Sequence, residues 1–156
     1  MSADINVRQA LFEDLDEIMK IENAGFGADA FSRRQIAYLI TQSKGKFFVA
    51  VHNNKIAGYV SFIMSRRHNT GRIYSIAVAS EHRGLGVANT LMDKTIDLAN
   101  KKKLRAVFLE VRTDNAAAIK LYEKKGFILS SIKHNYYHDG SPAYNMALRL
   151  QTHTNL

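Results

Sequence analysis

The 156-residue chain contains no cysteine. This removes disulfides, thiolate metal sites and any covalent cysteine intermediate from consideration. No apolar run reaches the ~20 residues that cross a bilayer. The first residues, Met1-Ser2-Ala3-Asp4, lack the basic and apolar regions of a signal peptide. Neither a linker nor a repeat interrupts the chain, and no stacked-aromatic or groove-reading motif announces nucleic-acid readout. His134 and His138 stand four apart in a strand–loop segment where they need not share a face, so no metal site is expected. The expectation is one cytoplasmic domain over residues 1–150, without a membrane partner, and a short polar tail at 151–156.

What is present supports a sizeable core, since 46% of the residues are hydrophobic. The formal net charge is +8 with six histidines counted neutral, which calls for a polyanionic ligand or surroundings. A highly anionic cofactor answers part of this, and a ribosomal or nucleic-acid neighbourhood is the wider alternative. The basic residues are scattered, apart from Arg66-Arg67-His68 and Lys101-Lys102-Lys103. The lysine run falls at a predicted helix C-terminus, where cations complement the dipole, so it reads as a solvated helix end.

Hydrophobic periodicity predicts strands over Ile5–Ala10, Phe47–Val51, Ile56–Met64, Arg72–Ala79, Leu104–Arg112, Phe127–Tyr137 and Ala143–Leu150. Asn53-Asn54 marks a hairpin turn between the second and third. A helix over Phe12–Asn23 carries Leu15, Ile18, Met19 and Glu22 on one stripe. Ser32 caps a second helix with Ile36, Leu39 and Ile40 inward. A long helix covers Leu85–Lys101, and a last one covers Asn115–Lys125 with Gly126 at its end.

The segment Arg83-Gly84-Leu85-Gly86-Val87-Ala88 joins the fourth strand to the long helix. A strand turning through glycines into a helix leaves several backbone N–H groups unpaired at the positive end of the helix dipole. That is an anion site suited to a pyrophosphate. Gly84 and Gly86 permit the tight turn and Ala88 permits close helix packing. A P-loop needs Lys-Ser/Thr after its last glycine, which is absent. A dinucleotide turn wants a glycine where Asn89 stands, although Glu110 imitates its ribose-binding acid. That turn normally follows the first strand of its domain, whereas here some eighty residues come first. Coenzyme A is the third class the loop admits.

The ordered set Arg83-x-x-Gly86-x-Ala88, Leu109-Glu110-Val111-Arg112 and Asn115-Ala116-Ala117-Ala118-Ile119…Leu121-Tyr122-Glu123…Gly126-Phe127 resembles the GNAT superfamily of acetyltransferases. Together with Asn135-Tyr136-Tyr137 and Asp139-Gly140, it is similar to the branch that acetylates protein N-termini, which includes the ribosomal-protein-alanine acetyltransferases. The resemblance implies a mixed α/β fold ordered β-α-α-β-β-β-α-β-α-β-β, its mostly antiparallel sheet splayed between the fourth and fifth strands and flanked by helices. It implies acetyl-CoA as cosubstrate, without a metal, and direct attack in a ternary complex on a protein N-terminus, with ribosomal proteins among the acceptors. Lysine or a small amine is the alternative acceptor within the fold, and a dinucleotide-dependent reductase is the more distant alternative.

Residue by residue, the resemblance makes Glu110 the general base and Tyr122 the acid beside the coenzyme sulfur. Backbone groups of Ile76 and Val78 would hold the pantetheine and the acetyl carbonyl, while Arg83, Gly84, Gly86, Val87 and Ala88 receive the pyrophosphate. Asn115 either caps its helix or meets the pantetheine. Glu22, Tyr136 and Tyr137 would shape the acceptor site. Gly27-Ala28-Asp29-Ala30-Phe31-Ser32 lacks the Pro-Trp pair of the bacterial pattern, so the acceptor's first residue stays open. A protein α-amine, with a pKa near ~7.8 against ~10.4 for lysine, is about 400-fold richer in its neutral form at neutral pH. The difference is worth roughly 3.5 kcal/mol and favours the α-amine as nucleophile.

Overall fold

The computed structural model describes residues 4–41 and 45–151. Of the expected termini, residues 1–3 and 152–156 lie outside the described residues. Seven strands, β1 (Asn6–Gln9), β2 (Gly45–His52), β3 (Lys55–Ser65), β4 (Thr70–Val78), β5 (Ala106–Arg112), β6 (Ile128–Lys133) and β7 (Ala143–Arg149), form one sheet. Its order is β1-β2-β3-β4-β5-β7-β6. The helices are α1 (Leu15–Phe26), α2 (Arg33–Thr41), α3 (Val87–Lys101) and α4 (Ala116–Lys124). This is the mixed sheet with flanking helices expected from the sequence.

Local chemistry explains the joints. Asn53 and Asn54 both adopt positive φ (52° and 61°), the geometry a two-residue hairpin loop demands. At the start of α2, Ser32 Oγ accepts the Gln35 N–H at 3.2 Å and Gln35 Oε1 accepts the Ser32 N–H at 2.8 Å, a reciprocal capping box. β4 pairs in parallel with β5 from Thr70–Ala106 to Ile73–Leu109. The paired stretch stops there, although β4 runs on to Val78 and β5 to Arg112.

Contacts group the chain into two compact units. One holds Met1–Ile63 and Tyr74–Ile96; Leu15, Ile18, Ile36, Phe47, Val49 and Tyr59 are buried in its core. The other holds Met64–Ile73 and Asp97–Leu156, with Val107, Leu109, Tyr122, Phe127, Ala143 and Met146 buried.

Most element boundaries shift by one or two residues from the periodicity, the long helix starting at Val87 rather than Leu85, and the first helix and the sixth strand shift further. The first helix opens with a 3-10 turn at Phe12–Asp14, because the Asp14 carboxylate accepts the Leu11 N–H at 2.7 Å and pairs with Arg8. It then continues three residues past Asn23, to Phe26, and stops at Gly27 with φ 52°. The sixth strand ends at Lys133 rather than Tyr137. Asn135 takes φ 52°, and the N–H groups of Tyr136 and Tyr137 both donate to the Ser141 carbonyl, turning the chain out of the sheet.

Candidate active site

In the first unit, β4 leads through a short turn at Ser80–His82 into residues 83–86 and the start of α3. Gly84 and Gly86 take φ +80° and +81°, conformations that side chains disfavour. Arg83 through Gly86 are exposed. Among the described residues, the N–H groups of Gly84, Leu85, Gly86, Val87, Ala88 and Asn89 donate to no acceptor; the first helical bond here runs from Thr90 to the Gly86 carbonyl at 3.0 Å. A run of free donors at a fifteen-residue helix's N-terminus, beside a guanidinium, fits a pyrophosphate. Gly58 makes room for this arrangement. A Cβ there would stand 2.7 Å from the Ala77 carbonyl oxygen and 2.9 Å from Val87 Cγ1, so the start of α3 rests on bare backbone. Ile76 and Val78 lie half-buried on β4.

Glu22, on α1, is only 1% exposed. Its Oε1 accepts the Tyr59 hydroxyl in a very short hydrogen bond and the Ser75 hydroxyl at 2.9 Å, while Oε2 accepts the Phe31 N–H at 3.0 Å. The carboxyl thus closes the segment between α1 and α2 onto the side chains of β3 and β4. Burial first, then the Glu22 charge, pushes the Tyr59 hydroxyl far above the ordinary tyrosine range. Glu22→Gln sets an amide N–H against one of the three donors, so it costs about 1–3 kcal/mol of stability in urea unfolding. An unchanged midpoint would show that the cluster relaxes freely.

In the second unit, Glu110 projects from β5 with a side chain 7% exposed. Arg72 makes a very short ion pair with Oε1, Lys133 Nζ approaches the same oxygen at 3.3 Å, and Asn145 Nδ2 donates to Oε2 at 3.2 Å. A carboxylate offers about four lone-pair sites. Three are used among the described residues, and the open one lies on Oε2, which has a single donor.

Tyr122 is placed by the end of α4. The Phe127 N–H donates to the Tyr122 carbonyl and the Gly126 N–H to that of Glu123, each at 3.0 Å, with Gly126 at φ 102°. This Schellman cap is completed by the Phe127 ring, 6.0 Å from that of Tyr122. The tyrosine is 6% exposed, and no hydrogen bond engages its hydroxyl among the described residues. Burial, with a contribution from Tyr137, pushes the hydroxyl up to about 12. Asn115 caps α4, its Oδ1 accepting the Ala118 N–H at 3.2 Å.

Tyr136 and Tyr137 pack edge to face, ring centroids 4.9 Å apart, in the connection between β6 and β7. The Arg112 guanidinium lies 4.9 Å from the Tyr137 ring centroid and donates to Asp139 at 2.9 Å and to Ser141 Oγ at 2.8 Å. It holds the Asp139 carboxyl well below the usual carboxylate range. The structure thus gathers Glu110 with three partners, and Tyr122 with Tyr137. Sequence reasoning did not single out Arg72, Lys133, Asn145, Tyr59 or Ser75. Gly58 did carry a signal, a glycine inside a strand.

Residues 11–127 match the family model described as "Acetyltransferase (GNAT) family". A protein named N-alpha-acetyltransferase from Saccharolobus solfataricus is 32% identical, over 92% of both chains. The crystal structure of the ribosomal-protein-S18-alanine N-acetyltransferase from Escherichia coli superposes with a TM-score of 0.86 at 27% identity, covering 98% of this chain and 100% of that one. A chain of the NatC complex bound to Gag peptide and CoA gives 0.85 at 26% identity, covering 97% and 100%.

Proposed function

Because the chain belongs to the GNAT family of acetyltransferases, we propose that it transfers the acetyl group of acetyl-CoA to the α-amino group of a peptide or protein N-terminus. Ribosomal proteins are an acceptor class in keeping with the relatives' names. The observation that carries the reading is the run of six unengaged N–H groups at 84–89, followed in the chain by Glu110 and Tyr122. Acetyl-CoA supplies an activated thioester, so the remaining chemistry is proton transfer and charge stabilisation.

The loop donors and Arg83 bind the pyrophosphate, and the backbone of Ile76 and Val78 orients the thioester end. The Asn115 side-chain Nδ2, whose partner atom Oδ1 caps α4, is available to donate to the pantetheine. Glu110 takes a proton from the incoming ammonium at Oε2, the oxygen with a lone pair to spare, while Arg72 and Lys133 hold Oε1. Tyr122 keeps its proton at neutral pH and offers it as a hydrogen bond to the departing sulfur. Glu22 acts on the acceptor through Phe31, fixing the segment that meets the first residue, and Tyr136 and Tyr137 hydrogen-bond the acceptor peptide.

The test is incubation with acetyl-CoA and short peptides that vary in their first residue and carry an internal lysine. The protein has no cysteine, so every thiol released comes from the coenzyme. The expected result is acetyl on the α-nitrogen, located by fragment mass spectrometry. Label on lysine alone would overturn the acceptor, and failure to bind the coenzyme would overturn the whole assignment.

A further inference from the structure

Two basic runs that stand some thirty residues apart in the sequence are stitched together in the second unit. The turn between β3 and β4 carries Arg66, Arg67 and His68, and the end of α3 carries Lys101, Lys102 and Lys103. Asn69 Nδ2 donates to the Lys103 carbonyl at 2.9 Å, Arg105 Nε to the His68 carbonyl at 2.8 Å, and the Arg105 N–H to the Asn69 carbonyl at 2.9 Å. All of these basic residues are exposed, and among the described residues no carboxylate pairs with any of them. The six lysines and arginines carry most of the chain's excess charge: without them the formal value of +8 falls to 8 − 6 = +2.

A second observation bears on Lys103. It sits at φ 56°, its N–H donating to the Asn100 carbonyl and the next N–H, of Leu104, to that of Ala99, each at 3.0 Å. This is the Schellman position that glycine favours, and α4 does use a glycine there. A lysine in the left-handed region keeps a cation at this spot against its own backbone preference.

We infer that Arg66, Arg67, Lys101, Lys102, Lys103 and Arg105 form a docking surface for the phosphate backbone of a nucleic acid, RNA or DNA, contacted without base readout. The cluster contains no large apolar or aromatic side chain. A protein interface needs such an anchor at its centre, and base stacking needs an aromatic. A polyphosphate backbone needs only cations held in place. The loop at 83–88 joins β4 to α3, whereas these cations lie in the β3–β4 turn and between the end of α3 and β5, so the two anion sites belong to different segments.

The experiment is fluorescence anisotropy with labelled RNA and DNA duplexes across a salt series, on protein saturated with coenzyme A. With all six cations engaged, log Kd varies with log salt at a slope near ~5. Lys103→Gly lowers the slope by about one while leaving the melting temperature unchanged or raised, and Arg66→Ala/Arg67→Ala lowers it by about two. Lys20→Ala/Lys120→Ala, at exposed lysines elsewhere, leaves it unchanged, and peptide acetylation is the same in every variant. Relative affinity for the two duplexes identifies which nucleic acid is the source. The inference is overturned if the coenzyme-saturated protein binds no duplex while the coenzyme-free protein does, if the slope ignores the substitutions, or if polyglutamate or anionic vesicles bind as tightly.

Discussion

Tyr122→Phe lowers kcat about 10- to 150-fold and leaves the KM for acetyl-CoA nearly unchanged. The range follows from the pKa. An ordinary thiol lies near ~8.5, so full proton transfer from a hydroxyl at about 12 to a free thiolate is uphill by roughly 3.5 units, or about 5 kcal/mol. The residue therefore acts by donating a hydrogen bond to developing charge. Such a bond is worth about 1.5–3 kcal/mol, and each ~1.36 kcal/mol is tenfold in rate. A rise in KM without a fall in kcat, in steady-state kinetics, would make Tyr122 a wall of the site instead. The same shift sets a stability limit. The folded-state value is raised above the ordinary 10.0, so the stabilisation is complete below pH 10 and is lost as pH rises toward 12. Over that interval the wild type loses roughly 2–3 kcal/mol through this group, and urea unfolding of Tyr122→Phe lacks that part of the alkaline decline.

Glu110→Gln lowers kcat/KM for peptide about 10²- to 10⁴-fold at neutral pH, the usual range for a lost general base. The amide oxygen still receives Arg72 and Lys133, and Asn145 can turn its own oxygen toward the new N–H, so the fold survives. The sharper reading comes from pH. Below an α-amine pKa of ~7.8 the variant depends on the small neutral fraction of the nucleophile, and its rate climbs about tenfold per unit. Above that pKa the amine needs no base to become neutral, and the gap to the wild type narrows. A deficit constant from pH 6 to 9 would mean that Glu110 orients the acceptor without taking its proton.

Features that depend on neighbours in the sequence were legible before the structure. Gly84 and Gly86 mark a tight turn, Ser32 a cap and Gly126 a helix stop; each is a demand of a few consecutive residues. The environment of Glu110 was not legible, because strand pairing creates it. Asn145 stands directly opposite Glu110 across β5 and β7, and Arg72 arrives through the parallel ladder that sets it beside Phe108. Glu22 showed its place on the apolar stripe, but its partners Tyr59 and Ser75 lie 37 and 53 residues away. Periodicity places the end of α3 at Lys101, as the structure has it, but not the cap that follows, because Lys103 takes the left-handed position where glycine is the usual signal.

The two-residue loop at Asn53-Asn54 and the 32-residue crossover from Tyr74 to Arg105 set an order of assembly. Closing a loop costs chain entropy that grows as the logarithm of its length, so the crossover carries about 2.5 kcal/mol more than the hairpin. The β2–β3 ladder can therefore nucleate early, whereas β4 meets β5 only after α3 has bridged them. Arg72 reaches Glu110 through that late pairing. Substitutions in the hairpin should act on the folding rate, and substitutions around Glu110 on the unfolding rate. The carboxylate assigned to the chemistry belongs to a ladder that closes later than the hairpin and at a larger entropic cost.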